Sequence, residues 1–372
     1  MTNWFEHPVA LGSFRSWIRL VRTAETIDPE LWPRVAAVGL TTLATSPLRF
    51  AERLRFGASV AASTPHPEPL FVLGHWRTGT THLLNLLAQD EQFGCVSTFQ
   101  AMVPGFCLIA ARHGKPWLER TLARSHPTRE IDNMPLALDA PQEEAFALAN
   151  VTPGASLHVF TLPRQGLSIF ARYGLLEGLA PRERREWIDA YLGVLRKATY
   201  AARGRRLVLK DPSNTGRIST LLELFPRARF VHIVRDPHRV LPSTLGIYRV
   251  VLAKAALQRV SEAEIEELVL AIYDRLMRKY LAERASIPPG QLTEVRYEEL
   301  EARPLEELAR VYGELGLAGF EAALPRFRAY LDGIGEFRKN EYRVDAAVAE
   351  QVSRRWGFAL EEWNYPRLAA VP

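Results

Sequence analysis

The stretch Pro69–Leu87 reads PLFVLGHWRTGTTHLLNLL and contains the clearest indication of the fold. Its apolar run Leu70–Leu73 is typical of a buried strand, and the leucines from Leu83 onward have helical spacing. The turn between them contains Gly74 and Gly79. A strand, a glycine turn and a helix N-terminus together gather backbone N–H groups around a phosphate. The stretch therefore predicts a phosphate-binding loop.

This loop lacks the lysine of a nucleoside-triphosphate site. The triphosphate motif is G-x-x-x-x-G-K-[ST], in which lysine directly follows the second glycine. Here Gly74 and Gly79 have the correct spacing, but Thr80 occupies the lysine position and the cation, Arg77, lies inside the loop. A P-loop kinase with an altered phosphate loop is one interpretation. A ligand with a different arrangement of phosphates is the favoured one.

The rest of the chain predicts an α/β protein. A proline-rich connector, STPHPEP at 63–69, separates a helical, arginine-rich segment from a region of alternating apolar runs and helical stretches. Strands are predicted at Leu70–Gly74, Arg206–Lys210, Arg229–Val234 and Leu292–Arg296. Helices are predicted at Thr80–Gln89, Arg182–Arg203, Ser219–Phe225, Ser261–Ala285, Pro304–Leu315 and Ala322–Leu331. This alternation predicts a P-loop-like three-layer fold with a central parallel sheet and a helical N-terminal extension.

We predict a boundary that leaves residues 1–68 as the extension and 69–372 as the main domain. For residues 1–64 the sequence favours helices that pack on the main domain or on a partner subunit. A cap that contacts a membrane surface peripherally, or that binds an acceptor, is the alternative. The sequence leaves the oligomeric state open.

Composition limits the other function classes. The chain has 372 residues and a formal net charge of +5, with its basic residues spread along the sequence. An anionic small ligand fits this pattern and nucleic acid is not expected. Two cysteines without C-x-x-C spacing and scattered histidines predict no metal site and a reducing compartment. The N-terminus lacks the apolar core of a signal peptide and no apolar run is long enough to span a membrane, so we expect a cytoplasmic protein.

Two further motifs end predicted strands with a cation. RLVLKDPSNTGR carries Lys210 followed by Asp211 and a proline, and RFVHIVRDPHRVLPS carries Arg235, with Ser243 on the helix that follows. The carboxyl ends of parallel strands meet at one edge of a sheet. We therefore expect Lys210 and Arg235 to converge with Arg77 on one multiply charged anion.

These motifs resemble the family of sulfotransferases that use PAPS (3′-phosphoadenosine 5′-phosphosulfate), in particular the bacterial branch related to carbohydrate and tyrosylprotein sulfotransferases. The family's 5′-phosphosulfate loop is matched by Arg77–Thr81, and its 3′-phosphate motif by Arg235 and Ser243. The Lys-Asp-Pro segment at Lys210 and the Tyr-Glu-x-Leu segment at Tyr297 also match. The resemblance spans roughly residues 70–300.

The resemblance implies transfer of a sulfuryl group from PAPS to a hydroxyl or amine of a small-molecule, glycan or lipid acceptor, without a metal. Arg77 and Lys210 would stabilise the charge that develops on transfer, and Arg235 and Ser243 would hold the 3′-phosphate. The implied PAPS-binding residues are Arg77, Thr78, Gly79, Thr80, Thr81, His82, Arg235 and Ser243, joined by Arg338 and Lys339 in the late basic segment GEFRKNEYR at 335–343.

A general base is needed to take the acceptor's proton. Glu143 and Glu144 match the acidic segment of related bacterial members in part, since Ala145 replaces the third acid. The alternative is that Pro141 begins a helix and both carboxylates complement its dipole. His158 and His126 are the other candidates.

Three aromatic residues have structural interpretations of their own. His75 and Trp76 either contact the nucleotide or acceptor or shape the turn of the loop. Tyr297 is predicted to pack beneath the sheet.

Overall fold

A computed structural model of the chain describes residues 7–125, 137–334 and 344–368. Its strands form a five-stranded sheet in the order β2-β3-β1-β4-β5. Strand β1 is parallel to both β3 and β4, and β4 is parallel to β5. The strands are β1 Leu70–Leu73, β2 Phe93–Gly94, β3 Arg206–Leu209, β4 Arg229–Val234 and β5 Leu292–Arg296. The predicted α/β fold with a central parallel sheet is thus confirmed.

Strand β1 shows why the pattern could be read from the sequence. All of its residues are fully buried, as expected for a strand in the middle of a parallel sheet with both faces covered. Such a strand needs a continuous apolar run, and Leu70–Leu73 provides one. Strand β2 has only two residues and gave no comparable signal.

Helices connect and flank these strands. They are α1 Phe14–Thr23, α2 Trp32–Ala44, α3 Ser46–Ala62, α4 Thr80–Leu87, α5 Thr98–Met102, α6 Cys107–Ala110, α7 Gly114–Ser125, α8 Glu144–Val151, α9 Gly166–Ile169, α10 Pro181–Ala201, α11 Ile218–Leu224, α12 Pro237–Ala255, α13 Glu262–Glu283, α14 Tyr297–Ala302, α15 Pro304–Glu314, α16 Phe320–Gly333, α17 Ala346–Arg355 and α18 Gly357–Glu362. Each predicted helix is present, with its ends shifted by one or two residues. The predicted helical N-terminal region is confirmed by α1–α3.

The chain divides into two compact units made of non-contiguous segments. The first unit comprises Met1–His66, Gly94–Leu207 and Arg249–Ser261. The second comprises Pro67–Phe93, Val208–Tyr248 and Glu262–Pro372. The division into residues 1–68 and 69–372 follows chain order and stays a prediction.

Within the first unit, the N-terminal helices are tied to their neighbours by buried polar contacts. The indole Nε1 of Trp17 on α1 donates to the carbonyl of Val35 on α2 at 3.1 Å. The guanidinium of Arg34 donates to the carbonyls of Ala253 and Ala256. These contacts fix which face of α2 points inward.

Candidate active site

The loop between β1 and α4 has a backbone that only small or strained residues adopt. Gly74 and Gly79 have φ values of +143° and +97°, and Arg77 adopts a left-handed φ of +70°. A Cβ added at Gly74 would lie 2.6 Å from the carbonyl oxygen of Ile233. The left-handed conformation costs a non-glycine residue roughly 1–3 kcal/mol and occurs preferentially at functional sites. Arg77 therefore adopts a strained backbone conformation within the loop.

Hydrogen bonds within the second unit hold this loop in place. The backbone N–H of Gly74 donates to Thr215 Oγ1 at 2.7 Å. The hydroxyl and the backbone N–H of Thr78 both donate to the carbonyl of His75. Thr78 thus closes the turn with both of its donors. The contribution of Thr215 was not found from the sequence, because it depends on the 3₁₀ turn Pro212–Gly216 that follows β3.

His75 shapes the turn from a buried position. Its Nδ1 lies 2.8 Å from the carbonyl oxygen of Trp76, and its ring packs edge-on against Tyr273. Burial lowers the pKa of His75 to about 3. The imidazole is therefore neutral at physiological pH.

Arg77 contacts both residues of the predicted 3′-phosphate motif. Its Nε donates to Ser243 Oγ at 2.8 Å. Its carbonyl oxygen accepts from Nη1 of Arg235 at 3.2 Å. The structure thus brings Arg77 together with Arg235 and Ser243, both of which lie more than 150 residues after it in the sequence.

Tyr297 lies against the loop, and the prediction that it packs beneath the sheet was wrong. The guanidinium carbon of Arg235 lies 4.3 Å from the centre of the Tyr297 ring. A Cβ added at Gly79 would lie 2.3 Å from Cδ2 of the same ring. The ring reaches these positions because Tyr297 directly follows β5, at the edge where β4 also ends.

The hydroxyl of Tyr297 is kept in its protonated form. It donates to Glu301 Oε1 at 2.8 Å. Burial raises the pKa of Tyr297, against an opposing effect of the Arg235 cation. The side chain is therefore a neutral aromatic platform for the guanidinium.

Lys210 completes the cluster from the end of β3. Its side chain is almost fully buried, since the residue is 2% exposed. Nζ donates to Thr81 Oγ1 in the first turn of α4 at 3.2 Å. Thr80, the residue in place of the triphosphate lysine, is also buried, and His82 is partly exposed on α4. The predicted convergence of the strand-end cations on the loop is what the structure shows.

The aspartates after these cations are engaged in bracing contacts. Asp211 accepts from Arg217 Nη1 at 2.8 Å, and both side chains are buried. Asp236 accepts from the backbone N–H and Nδ1 of His238 at 2.9 and 2.8 Å. Burial alone would raise the pKa of Asp236, but the His238 hydrogen bonds lower it overall. In the described part of the chain no group of three or more His, Cys, Asp or Glu side chains has the geometry to hold a metal ion.

The candidate bases belong to the first unit. Glu143 is the N-cap of α8, and Glu144, 1% exposed, accepts from the Tyr191 hydroxyl at 3.3 Å. The interpretation that Pro141 begins the helix was wrong, because Pro141 pairs with Ser97 in an isolated bridge. This bridge holds the chain extended, so α8 begins only at Glu144.

The remaining predicted residues are His158, His126, Arg338 and Lys339. His158 is buried, its Nε2 lies 3.1 Å from the carbonyl oxygen of Thr152, and burial lowers its pKa to about 4. It therefore behaves as a structural histidine. His126, Arg338 and Lys339 lie outside the described residues. Among the residues that are described, no helix is both long and apolar enough to cross a membrane.

The fold is that of a P-loop-like α/β protein, and the loop after β1 carries a cluster of cations. The sequence profile of the sulfotransferase family matches residues 69–322. The chain therefore belongs to the sulfotransferase family, and it is an enzyme of sulfuryl transfer, which sets the kinase interpretation aside.

Individual relatives agree with this assignment. The chain is 30% identical over 376 residues to the omega-hydroxy-beta-dihydromenaquinone-9 sulfotransferase Stf3 of Mycobacterium bovis, and equally to that of Mycobacterium tuberculosis. These alignments cover 100% of this chain and 95% of the relative.

Two solved structures share the fold. The sulfotransferase STF9 from Mycobacterium avium has a TM-score of 0.70 at 20% identity, covering 95% of this chain and 91% of the other. The sulfotransferase STF1 from Mycobacterium tuberculosis has a TM-score of 0.64 at 18% identity, covering 92% of each chain.

Proposed function

We propose that PAPS is the sulfuryl donor and that the second unit holds it at the carboxyl edge of the sheet. The observation that supports this most directly is the convergence of Arg77, Lys210 and Arg235, from three separate strand ends, on one glycine loop. PAPS carries a 5′-phosphosulfate and a 3′-phosphate, so it presents two separate anionic groups to such a cluster. Bound PAPS supplies the activated sulfuryl group.

The residues present fit the 5′ end of that molecule. The N-terminus of α4 directs its first backbone N–H groups toward the loop, and a helix N-terminus favours a phosphate. The hydroxyls of Thr80 and Thr81 would add donors. Gly79 would let the backbone approach the ligand closely, because glycine has no side chain and adopts a φ of +97° without strain.

Arg77 and Lys210 would stabilise the negative charge that grows on the leaving phosphate. Arginine stays protonated at neutral pH, so Arg77 would act through charge and hydrogen bonds and not as a proton donor. Preorganised donors of this kind contribute about 2.7–4 kcal/mol each to transition-state stabilisation. The buried position of Lys210 strengthens its field, because little water screens it.

Arg235 and Ser243 would hold the 3′-phosphate. Ser243 Oγ accepts from Arg77 Nε, which leaves its own O–H to donate to a phosphate oxygen. The contact of Arg235 with Tyr297 leaves its positive charge unneutralised, because an aromatic ring carries no net charge. A planar guanidinium can then grip the phosphate with two hydrogen bonds.

Glu143 is the base we propose for the acceptor's proton. Glu144 is buried and already accepts from Tyr191, and His158 is fixed by a backbone carbonyl. The test compares Glu143→Gln with Glu144→Gln at saturating substrates. A larger fall of kcat for Glu144→Gln would move the role to that residue.

We infer that the acceptor carries a hydroxyl on a lipid-like body, because the relatives with 30% identity are named for a hydroxylated menaquinone. The first unit contains a largely apolar cavity of about 410 Å³ between α3 and α10. Phe56, Val60 and Val194 are among the residues that line it. Ligand cavities of this size are commonly apolar with a few polar groups, and this one would take the apolar part of the acceptor. The free thiols Cys95 and Cys107 accord with a proposed cytoplasmic location.

Gly193 offers a way to fill this cavity. It lies on α10, lines the cavity, and a Cβ added there meets nothing within 4 Å. We expect Gly193→Leu to raise the KM for a polyprenyl acceptor about tenfold or more without loss of thermal stability. Gly313→Leu is the matched control, since Gly313 is also helical and has nothing within 4 Å of an added Cβ. An unchanged KM in Gly193→Leu would remove the cavity from the acceptor site.

The proposed donor is tested by turnover. Purified protein receives sulfur-labelled PAPS and an ω-hydroxylated polyprenyl quinone, and labelled quinone and PAP (adenosine 3′,5′-bisphosphate) are measured. We expect equal amounts of the two products. Adenosine 5′-phosphosulfate, which lacks the 3′-phosphate, should react at least tenfold more slowly at equal concentration. Equal rates with the two donors would contradict the role given to Arg235 and Ser243.

A further inference from the structure

Helix α2 is apolar on the side that faces solvent. Leu40 is 68% exposed, and the other exposed residues of this stripe follow at helical spacing. The stripe consists of Trp32, Ala36, Leu40 and Leu43. A helix at the surface of a globular protein normally directs its apolar stripe inward. In α2, Val35 and Val38 are buried on the inner side, and a second apolar stripe faces solvent.

Helix α3 also presents apolar residues to solvent. Phe50 is 65% exposed and Leu54 is 72% exposed, four residues apart on one face. Ala58 and Ala61 continue the same face toward the end of the helix. Scattered exposed leucines need no explanation, but two consecutive helices that both present apolar stripes form a surface. We call the exposed stripes of α2 and α3 the apolar α2–α3 face.

Two charged residues of the same helices point inward and are paired there. Arg34 on α2 donates to the carbonyls of Ala253 and Ala256. Glu52 on α3 is 2% exposed, contacts Lys197 and accepts from the backbone N–H groups of Leu108 and Ile109. Buried charges with complete partners fix the helices in this orientation. The outward orientation of the apolar α2–α3 face is therefore fixed by contacts within the first unit.

The charge of this face has one sign. Residues 32–62 contain one carboxylate, Glu52, and it is buried. Arg53 and Arg55 are exposed on α3 beside Phe50 and Leu54. An exposed apolar stripe flanked by arginines and without exposed acids is the pattern of helices that lie in a membrane interface and bind anionic lipids.

We propose that the apolar α2–α3 face docks this enzyme on an anionic lipid bilayer. Phe50, Leu54, Leu40 and Leu43 would enter the boundary between headgroups and acyl chains, and Arg53 and Arg55 would contact lipid phosphates. The same helix α3 lines the apolar cavity through Phe56 and Val60, so the docked surface and the cavity share one element. The proposal rests on the proposed function only in its purpose, because a lipid-like acceptor would be reached at the membrane.

Vesicle flotation tests the proposal on the full chain. The vesicles consist of phosphatidylcholine alone or of phosphatidylcholine with phosphatidylglycerol. We expect wild type to float with the anionic vesicles and much less with the neutral ones. Phe50→Asp/Leu54→Asp should weaken binding tenfold or more, because it places carboxylates in the apolar layer. Arg53→Gln/Arg55→Gln should weaken binding to anionic vesicles about fivefold per arginine.

Leu368→Asp is the matched control, since Leu368 is an exposed leucine of the second unit. It should float as wild type does. Hydrogen exchange on wild type guards against a variant that fails to fold: anionic vesicles should protect residues 32–62 most strongly. Sulfuryl transfer to a water-soluble hydroxylated quinone should be unchanged in Phe50→Asp/Leu54→Asp, which separates this proposal from the proposed function.

Three results would overturn the proposal. The first is wild type that stays unbound to anionic vesicles at low salt. The second is a Phe50→Asp/Leu54→Asp variant that floats as wild type does, or protection that falls outside residues 32–62. The third is a wild-type dimer in sedimentation that this variant dissociates without any vesicle binding, because the face would then join two copies of the chain.

Discussion

The loop cluster of the second unit and the apolar α2–α3 face of the first unit both depart from the usual distribution of side chains. At the loop, Lys210 is buried and the charged Arg235 stacks on an aromatic ring. On α3, Phe50 and Leu54 are exposed while the carboxylate of Glu52 is buried. The loop cluster therefore presents charge in a buried environment, and the apolar α2–α3 face presents apolar surface to solvent.

The two regions therefore suit different partners. The loop cluster gathers three cations beside a helix N-terminus, an arrangement that suits a phosphate-bearing ligand. The apolar α2–α3 face presents apolar surface flanked by arginines, so it suits a lipid phase. Variants in the two regions should accordingly have different effects.

Removal of the Lys210 cation should have the largest effect. We expect Lys210→Met to lower kcat by about 10²–10³-fold, because a preorganised charge at the reacting group is lost. Steady-state kinetics with PAPS measures the change. Lys279→Met is the control, since Lys279 pairs with Glu283 on α13. A loss under threefold in Lys210→Met would mean that the buried cation serves the fold alone.

A methyl group at Gly79 should disturb the loop through two separate effects. Gly79→Ala adds the strain of a positive φ, about 1–2 kcal/mol, and a clash with the Tyr297 ring, about 1–3 kcal/mol. Gly290→Ala isolates the first effect, because Gly290 has a φ of +76° and nothing within 4 Å of an added Cβ. Thermal unfolding should show the larger loss for Gly79→Ala. Equal losses would remove Tyr297 from the loop.

Exposed and buried leucines should differ in their effect on stability. Leu54→Ala should change the free energy of unfolding by within about 0.5 kcal/mol, because its side chain is exposed. Leu84→Ala, at a fully buried position of α4, should cost about 2–5 kcal/mol. Denaturant unfolding of the two variants makes the comparison. A loss of more than about 1 kcal/mol in the free energy of unfolding for Leu54→Ala would show that the apolar α2–α3 face packs against protein.

Much of the loop cluster could be predicted because its signals are short and local. Lys210 and Arg235 directly follow apolar runs, and Arg77 lies in the glycine loop after another. Parallel strands bring their ends to one edge without further information. Tyr297 also directly follows a strand, β5. The sequence predicted it beneath the sheet, because an aromatic residue at a strand end has the same pattern as a core residue. The bridge of Pro141 with Ser97 depends on a partner 44 positions away (141 − 97), which no local pattern contains.

The apolar α2–α3 face could not be predicted for a different reason. Hydrophobic periodicity shows that a segment is an amphipathic helix, but the apolar stripe has the same spacing whether it points inward or outward. The sequence of residues 1–64 accordingly left packing helices and a membrane cap as alternatives. The orientation follows only from the buried partners of Arg34 and Glu52.

The central claim, that the loop cluster binds PAPS through its 3′-phosphate, is tested most directly by calorimetric titration with PAP and with ATP plus Mg²⁺. Wild type should bind PAP at least tenfold more tightly than ATP. Arg235→Ala should lose about 10–100-fold in PAP affinity, as expected when a charged hydrogen bond is removed. Arg278→Ala, which removes an arginine that stacks on Phe358 at 4.1 Å, should leave PAP affinity unchanged. ATP binding as tight as PAP binding, or an undiminished affinity in Arg235→Ala, would contradict the claim.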